Sequence, residues 1–249
     1  MTARTVMVLL SLCGCAAGVE PKVTLTHLRG GLYLAVDTFY VHENSMVYVG
    51  PEHVTVVGAT WTPETAKLLT GEIRKVTSKP IREVIVTDYH ADRSGGSLHF
   101  RSIGAKVVSR RQTVDLLKER WERHVRELQK SYPGFPAIPL TLPDTVHEGD
   151  YELQGGKVRA IYTGPAHTPD GIFVYFPEES VLYGNCILKE QLGNLDSADI
   201  AEYPKTLLKL KAKNLDYTTI IGGHFTPLQG PELLDRFIQM LESHRQQPR

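Results

Sequence analysis

The sequence predicts an α/β fold in which two mixed sheets pack face to face with helices outside, a four-layer sandwich. Three observations lead there. Each half of the chain reads as several strands followed by helix and strand. An apolar share of 41% in 249 residues is ample for one shared core. No linker separates the halves, so residues 19–249 are expected to form a single domain behind a leader at 1–18.

Alternating stretches at 23–28 and 32–40 form two strands joined through Gly30 and Gly31, and 45–49 and 53–59 form two more across Gly50-Pro51. Thr62-Pro63-Glu64 opens a helix with a capping hydroxyl, proline at the first position and acid in the first turn. That helix runs to about Ser78 on an apolar face of Ala66, Leu68, Leu69 and Ile73. Residues 83–87 form a buried strand, 98–103 a short helix closed by Gly104, and 106–109 a strand. Residues 110–130 form the longest helix, with Val114, Leu117, Trp121, Val125 and Leu128 three or four apart on one stripe. Pro133, Pro136, Pro139 and Pro143 make 132–143 a rigid connector. Strands at 144–153 and 157–163 flank a Gln154-Gly155-Gly156 turn, and strands at 172–176 and 181–183 follow. A helix over 197–213, a strand over 217–221 and a helix over 231–243 close the chain.

The first residues read as a secretory leader. Arg4 precedes an apolar run through Leu12, and small residues follow to Gly18, with cleavage expected near Ala17. The run is too short to span a bilayer. Leu12-Cys13-Gly14-Cys15 also resembles a bacterial lipoprotein box, with Cys13 a poor fit, which would put a lipid on Cys15. Either route exports the protein, and a periplasmic location is expected. Beyond the leader only Cys186 remains, which cannot form an internal disulfide and is either a buried bystander or a working thiolate. Basic and acidic residues balance at 28 each, which points away from nucleic acid and anionic membrane surfaces as partners.

The chemistry gathers at strand ends. After strand 83–87 comes Asp88-Tyr89-His90-Ala91-Asp92-Arg93-Ser94-Gly95-Gly96. If the backbone stays extended, Asp88, His90 and Asp92 face one side, a sensible ligand set for a borderline metal; a polar turn would carry the same residues. His167 lies in Gly164-Pro165-Ala166-His167-Thr168-Pro169-Asp170, Cys186 follows strand 181–183, and His224 follows strand 217–221. Four strand ends thus present His90 with Asp92, His167, Cys186 and His224, and loops at one sheet edge are where such folds build sites.

These segments closely resemble the metallo-β-lactamases, and within them the mono-zinc, carbapenem-selective second subclass. The likeness extends from about Leu25 to about Phe237. It is carried by Glu43-Asn44-Ser45-Met46-Val47-Tyr48, the run from Val56 to Pro63, His90-x-Asp92-Arg93-x-Gly95-Gly96, the run from Gly164 to Gly171, that from Leu182 to Lys189, and Gly222-Gly223-His224. Glyoxalase-type thioesterases of the superfamily usually carry a carboxylate where Cys186 falls, so the thiolate favours the lactamase branch. The resemblance implies one zinc ion on Asp92, Cys186 and His224 with a fourth position open. It implies that His90 and His167 line a neighbouring position that holds a second metal in dizinc relatives. It gives Lys189 the grip on the substrate carboxylate and Asn194 a contact near the lactam carbonyl. Arg93 lies beneath the metal against a buried carboxylate, Trp61 packs under the site, and the long helix roofs it. Asp88 departs from the pattern: the dizinc members have histidine there and the mono-zinc members asparagine. An aspartate with His90 and His167 makes a second metal position easier to fill, unless Asp88 only replaces a hydrogen bond.

The expected reaction is hydrolysis of the β-lactam amide, carbapenems ahead of penicillins and cephalosporins, conferring antibiotic resistance. His90 is the first choice of general base because an unperturbed imidazole titrates near neutrality, with Asp92 the rival; His167 and Asn194 hold the carbonyl oxygen and Lys189 the carboxylate. The alternatives are a broader-spectrum dizinc lactamase, a thioester or lactone hydrolase of the same superfamily, and a zinc-binding protein without turnover. The only partner implied is a small β-lactam, acting on a monomer.

Overall fold

The computed structural model describes residues 22–246. The leader and the lipoprotein-like box lie outside the described residues.

The first half forms β1 (Val23–Arg29), β2 (Leu32–Asp37), β3 (Glu43–Val49), β4 (Val54–Val57), α1 (Pro63–Val76), β5 (Ile81–Ile85), α2 (Ala91–Ser94), α3 (Ser97–Ser102), β6 (Lys106–Arg110), α4 (Arg111–Ser131) and β7 (Thr145–His147). The second forms β8 (Tyr151–Leu153), β9 (Val158–Ile161), β10 (Phe173–Phe176), β11 (Val181–Tyr183), α5 (Tyr203–Ala212), β12 (Thr219–Ile221), β13 (Leu228–Gln229) and α6 (Leu233–Gln246). One sheet has seven strands in sequence order, antiparallel through β4 and parallel from β4 to β7. The other has six, ordered β13-β12-β11-β10-β9-β8, with β11 and β12 parallel.

Alternating side chains sort the layers. Leu32, Leu34, Met46 and Ile85 meet Val174, Phe176, Tyr183 and Ile221 in the core between the sheets. The intervening Ala35, Val47, Val56 and Val84 face outward onto Ala66, Leu69 and Ile73 of α1 and Phe100 of α3. On the far side Phe173, Tyr175, Leu182 and Ile220 pack under Leu207 and Leu210 of α5 and Phe237 and Leu241 of α6. The four-layer α/β sandwich expected from the sequence is therefore the observed fold.

Thr62 caps α1 as its sequence demands: its hydroxyl accepts the Thr65 N–H at 3.1 Å, and Thr65 reciprocates to the Thr62 N–H. In α4 the predicted stripe buries Val114, Leu117, Trp121 and Val125. Each buried aliphatic side chain there is worth about 1.5–3 kcal/mol. The Trp121 indole donates to Ile138 O at 2.9 Å, which straps the proline-rich connector to the helix.

Three expectations change. The single strand over 144–153 is two, split at residues 148–150, with β7 joining the first sheet and β8 the second, so the chain changes sheets there. The helix expected from Ser197 starts at Tyr203, where Pro204 fits the first turn and lacks a donor for anything further in. The third change concerns the segment after β5 and bears directly on the site.

Candidate metal centre and active site

The chain does not stay extended after β5. It turns into α2 at Ala91, so Asp92 sits in the first turn of a short helix rather than two places along a strand from His90. His90 keeps an extended backbone (φ −66°, ψ 153°) just before it. Gly95 and Gly96 allow the turn to press against the loop after β4: a Cβ on either would fall on the carbonyl of Trp61 or Ala59.

Asp92, Cys186 and His224 converge. The Asp92 Oδ2 lies 3.1 Å from His224 Nε2 and 3.1 Å from Cys186 Sγ, and Sγ lies 3.5 Å from Nε2. Cys186 is delivered by the turn after β11, where Asn185 takes a positive φ of 52°. The Asn185 side chain accepts the Thr87 hydroxyl at 3.1 Å and donates to Asp88 Oδ2 at 3.1 Å, so the loops from the two sheets lock together. His224 follows β12 through Gly222-Gly223. Its Nδ1 donates to His42 O at 2.8 Å, which leaves the Nε2 lone pair facing the carboxylate and the sulfur.

Beneath these three lies Arg93, fully buried. It donates to Glu43, to Asn44 O at 3.0 Å, to Gly223 O at 2.8 Å and to Cys186 Sγ at 3.1 Å, with Nε 3.2 Å from Asp92 Oδ2. Burial alone would raise the Asp92 carboxyl, but the charge of Arg93 outweighs it and holds Asp92 well below the usual carboxylate range. Burial lowers His224, keeping it neutral, and pushes the Cys186 thiol well up against the pull of Arg93. An ionised carboxylate, a neutral imidazole lone pair and a sulfur within 4.8 Å of one another make a donor set that fits zinc, which binds once the thiol gives up its proton. Burial pushes Glu43 up to about 8 in spite of Arg93, whose charge is shared with Asp92 and Cys186.

The three residues open onto a cavity of about 550 Å³. His90, His167, Lys189 and Asn194 line it, together with Trp61, Tyr40 and Val41 and with His124, Leu128 and Ser131 of α4. The rings of His90 and His167 stand edge to face with centroids 5.3 Å apart. Lys189 is buried, donates to Cys186 O at 2.8 Å and lies 3.5 Å from His167 Nδ1. Asn194 is at the exposed rim, where its amide donates to Asp196 at 3.0 Å.

One expectation about the site changes. Burial moves the His90 ring from its ordinary value down to about 4, so it is neutral at physiological pH but not poised at neutrality. Asp88, His90 and Asp92 offer donor atoms that all lie within 4.8 Å of one another. Asp88 is fully buried, its oxygens accepting from the His90 N–H at 3.0 Å and from Asn185.

His124 and Ser197 were not singled out from the sequence. Ser197 Oγ lies 3.2 Å from Tyr89 Oη and 3.4 Å from His90 Nε2. His124 falls seven residues after Leu117, on the apolar stripe of α4, and an imidazole on that stripe was the available signal.

The model of the Metallo-beta-lactamase superfamily matches residues 40–224. The chain belongs to that superfamily. It is 30% identical over 185 residues to the metallo-beta-lactamase IND-1 of Chryseobacterium indologenes, covering 73% of this chain and 71% of that one. A type 2 metallo-beta-lactamase of Bacteroides fragilis matches at 23% identity over 97% of both chains. Among solved structures, TMB-1 superposes with a TM-score of 0.78 at 19% identity, covering 90% of this chain and 99% of its own. The mono-zinc form of FIM-1 from Pseudomonas aeruginosa gives 0.76 at 21% identity, covering 90% and 97%. At such identities the structural likeness establishes the fold.

Proposed function

We propose that this superfamily member hydrolyses the amide of a β-lactam ring, with carbapenems preferred over penicillins and cephalosporins. The observation that carries the reading is the convergence of Asp92, Cys186 and His224 in a cavity that residues of α4 also line. Those three residues would hold one zinc ion, which supplies a Lewis-acid charge that stabilises the negative charge on the departing lactam nitrogen. His90 takes a proton from water as the water oxygen bonds to the lactam carbonyl carbon. The carbon–nitrogen bond then breaks, the nitrogen takes the proton that His90 had removed from water, and a carboxyl group stands where the lactam carbonyl was while His90 returns to its neutral form. A neutral imidazole suits that task, whereas Asp92 is committed to Arg93 and to the donor set. Lys189 receives the substrate carboxylate by turning its ammonium away from Cys186 O, and His167 and Asn194 steady the carbonyl oxygen. The apolar side chains of Tyr40, Val41 and Trp61 take the hydrophobic face of the bicycle. The leader reading makes the protein periplasmic, and a β-lactamase there confers resistance.

Purified protein assayed against a carbapenem, a penicillin, a cephalosporin and a simple thioester tests the substrate class. Carbapenem hydrolysis well above the other three is expected; a thioester preference would move the chain to another branch of the superfamily. His90→Ala should lower carbapenem turnover about 10²–10⁴-fold, the usual contribution of a general base. Near-normal turnover in that variant would end the His90 mechanism. A second reading rests on Asp88, whose carboxylate lies within 4.8 Å of His90 and Asp92 donor atoms. A negative charge there draws a second cation more strongly than an asparagine would. Zinc titration of the wild type and Asp88→Asn decides this, and equal second-site affinities would remove it.

A further inference from the structure

We infer that His124 is a positioning residue for His90, acting from α4 on the group that handles the attacking water. The inference rests on the His90 mechanism above. The His124 ring lies nearly parallel to that of His90, with centroids 4.9 Å apart and planes at 17°. Its Nε2 accepts the Ala91 N–H at 3.1 Å, at the peptide that joins His90 to α2. That N–H has no carbonyl partner within its own helix, since first-turn donors face outward. His124 therefore satisfies an orphan donor and fixes the start of the helix that carries Asp92.

The bond also fixes the chemistry of His124. Its Nε2 lone pair is used, so a neutral ring carries its proton on Nδ1 and offers no Nε2 donor to a metal. Its ring also meets the edge of Tyr89 at 5.8 Å and Trp121 at 6.4 Å. His90 is thereby held on three sides, by the flat face of His124, by His167 at its edge and by Ser197 near Nε2. Catalytic geometry tolerates little drift, and a supporting group that fixes a rotamer is worth a measurable part of the rate.

The test is a double-mutant cycle with zinc-loaded protein and a carbapenem. His124→Leu keeps bulk on the stripe but removes the acceptor and the flat ring. It should lower kcat about tenfold with KM within about threefold in the wild-type background, and less than about twofold in a His90→Ala background. His124→Gln, which returns a carbonyl acceptor to the Ala91 N–H, should recover most of the loss. A second readout uses zinc-free protein: the rate at which diethylpyrocarbonate modifies His90, followed by peptide mass spectrometry. His124→Leu should raise that rate at least about threefold by freeing the ring. The inference is overturned if the kcat losses multiply fully in the double variant, if Gln is as impaired as Leu, or if the His90 modification rate does not change. A fully active His90→Ala would instead overturn the mechanism itself, so the two failures are distinguishable.

Discussion

Replacing Arg93 by methionine tests the electrostatic floor of the site. Methionine has comparable length and no charge, so the substitution removes the guanidinium with little cavity. The backbone carbonyls it touches are not orphaned: Asn44 O still accepts the Tyr183 hydroxyl at 2.7 Å, and Gly223 O still accepts the Asn44 N–H at 2.9 Å. Glu43 keeps the Ser45 hydroxyl. The cost therefore falls on the ionised Asp92, which loses its buried cation and keeps the thiol as donor. Breaking a buried pair from one side costs about 3–5 kcal/mol, and the surviving partner puts this case near the low end, about 3 kcal/mol. Against a total stability of about 5–15 kcal/mol that is a large fraction. Urea unfolding of the zinc-free protein, followed through Trp61 and Trp121, measures it. Glu43→Gln in the same assay should cost less than Arg93→Met, because burial pushes that carboxyl up to about 8 and so favours its neutral form, which an amide resembles. A loss under about 1 kcal/mol for Arg93→Met, or a Glu43→Gln loss equal to it, would refute the assignment of charge across this cluster.

Cys186→Ser should leave a folded protein whose zinc peak disappears from native mass spectra at zinc concentrations that saturate the wild type; retention of full occupancy would remove sulfur from the donor set. Asp88→Asn should change how stability depends on pH. Burial, reinforced by Asp92, raises Asp88 to about 7, so its contribution is fully present below its unfolded value and is lost as pH rises through about 7. The zinc-free asparagine variant should therefore gain on the wild type between pH 5 and pH 8, and a pH-independent difference in urea midpoint would contradict this. Two glycines should behave oppositely. Gly71→Ala, in α1 with nothing near the added Cβ, should stabilise by about 0.5–1 kcal/mol. Gly223→Ala, whose Cβ would fall on the Asn185 carbonyl, should destabilise by about 1–3 kcal/mol or more. Thermal or urea midpoints of the pair check both signs.

The sequence was most legible where a local rule coincided with the tertiary outcome. Alternation in 32–37 and 45–49 sorts Leu32 and Met46 to one face and Ala35 and Val47 to the other, as a two-sided sheet requires. Thr62-Pro63 fixed a helix start to the residue. Legibility failed where tertiary contacts override local preference. Nothing local says that His90 ends the extended run, because α2 is held by Gly95 and Gly96 packing on carbonyls that arrive from the β4 loop. Gly149-Asp150 marks a break within 144–153, but that the two halves pair with strands of different sheets is a tertiary outcome no local signal gives. The low position of His90 was equally invisible, because it follows from burial, which one chain segment does not reveal.

The polar residues buried around the site explain why its parts come from both sheets. The first sheet contributes Glu43, Asn44, Thr87, Asp88 and Arg93, and the second contributes Asn185 and the Gly222-Gly223 backbone. None could be buried alone without a heavy desolvation cost; Asn44, Thr87, Asp88 and Arg93 find partners across the seam, and Glu43 finds Arg93 and Ser45 on its own side. Asn44 Nδ2 donates to Gly222 O at 2.8 Å, Glu43 of β3 forms an isolated backbone bridge with His224 in the loop after β12, and Arg93 donates to Glu43 on one side and to Gly223 O on the other. The same seam brings Asp92 from one sheet to Cys186 and His224 from the other. An apolar seam of equal area would hold the halves together, but it would not fix their register to the tenths of an ångström that three donor atoms on one cation demand. The buried polar network is thus the device that turns two docked sheets into one coordination geometry, and the site's precision is a property of their interface rather than of any one loop.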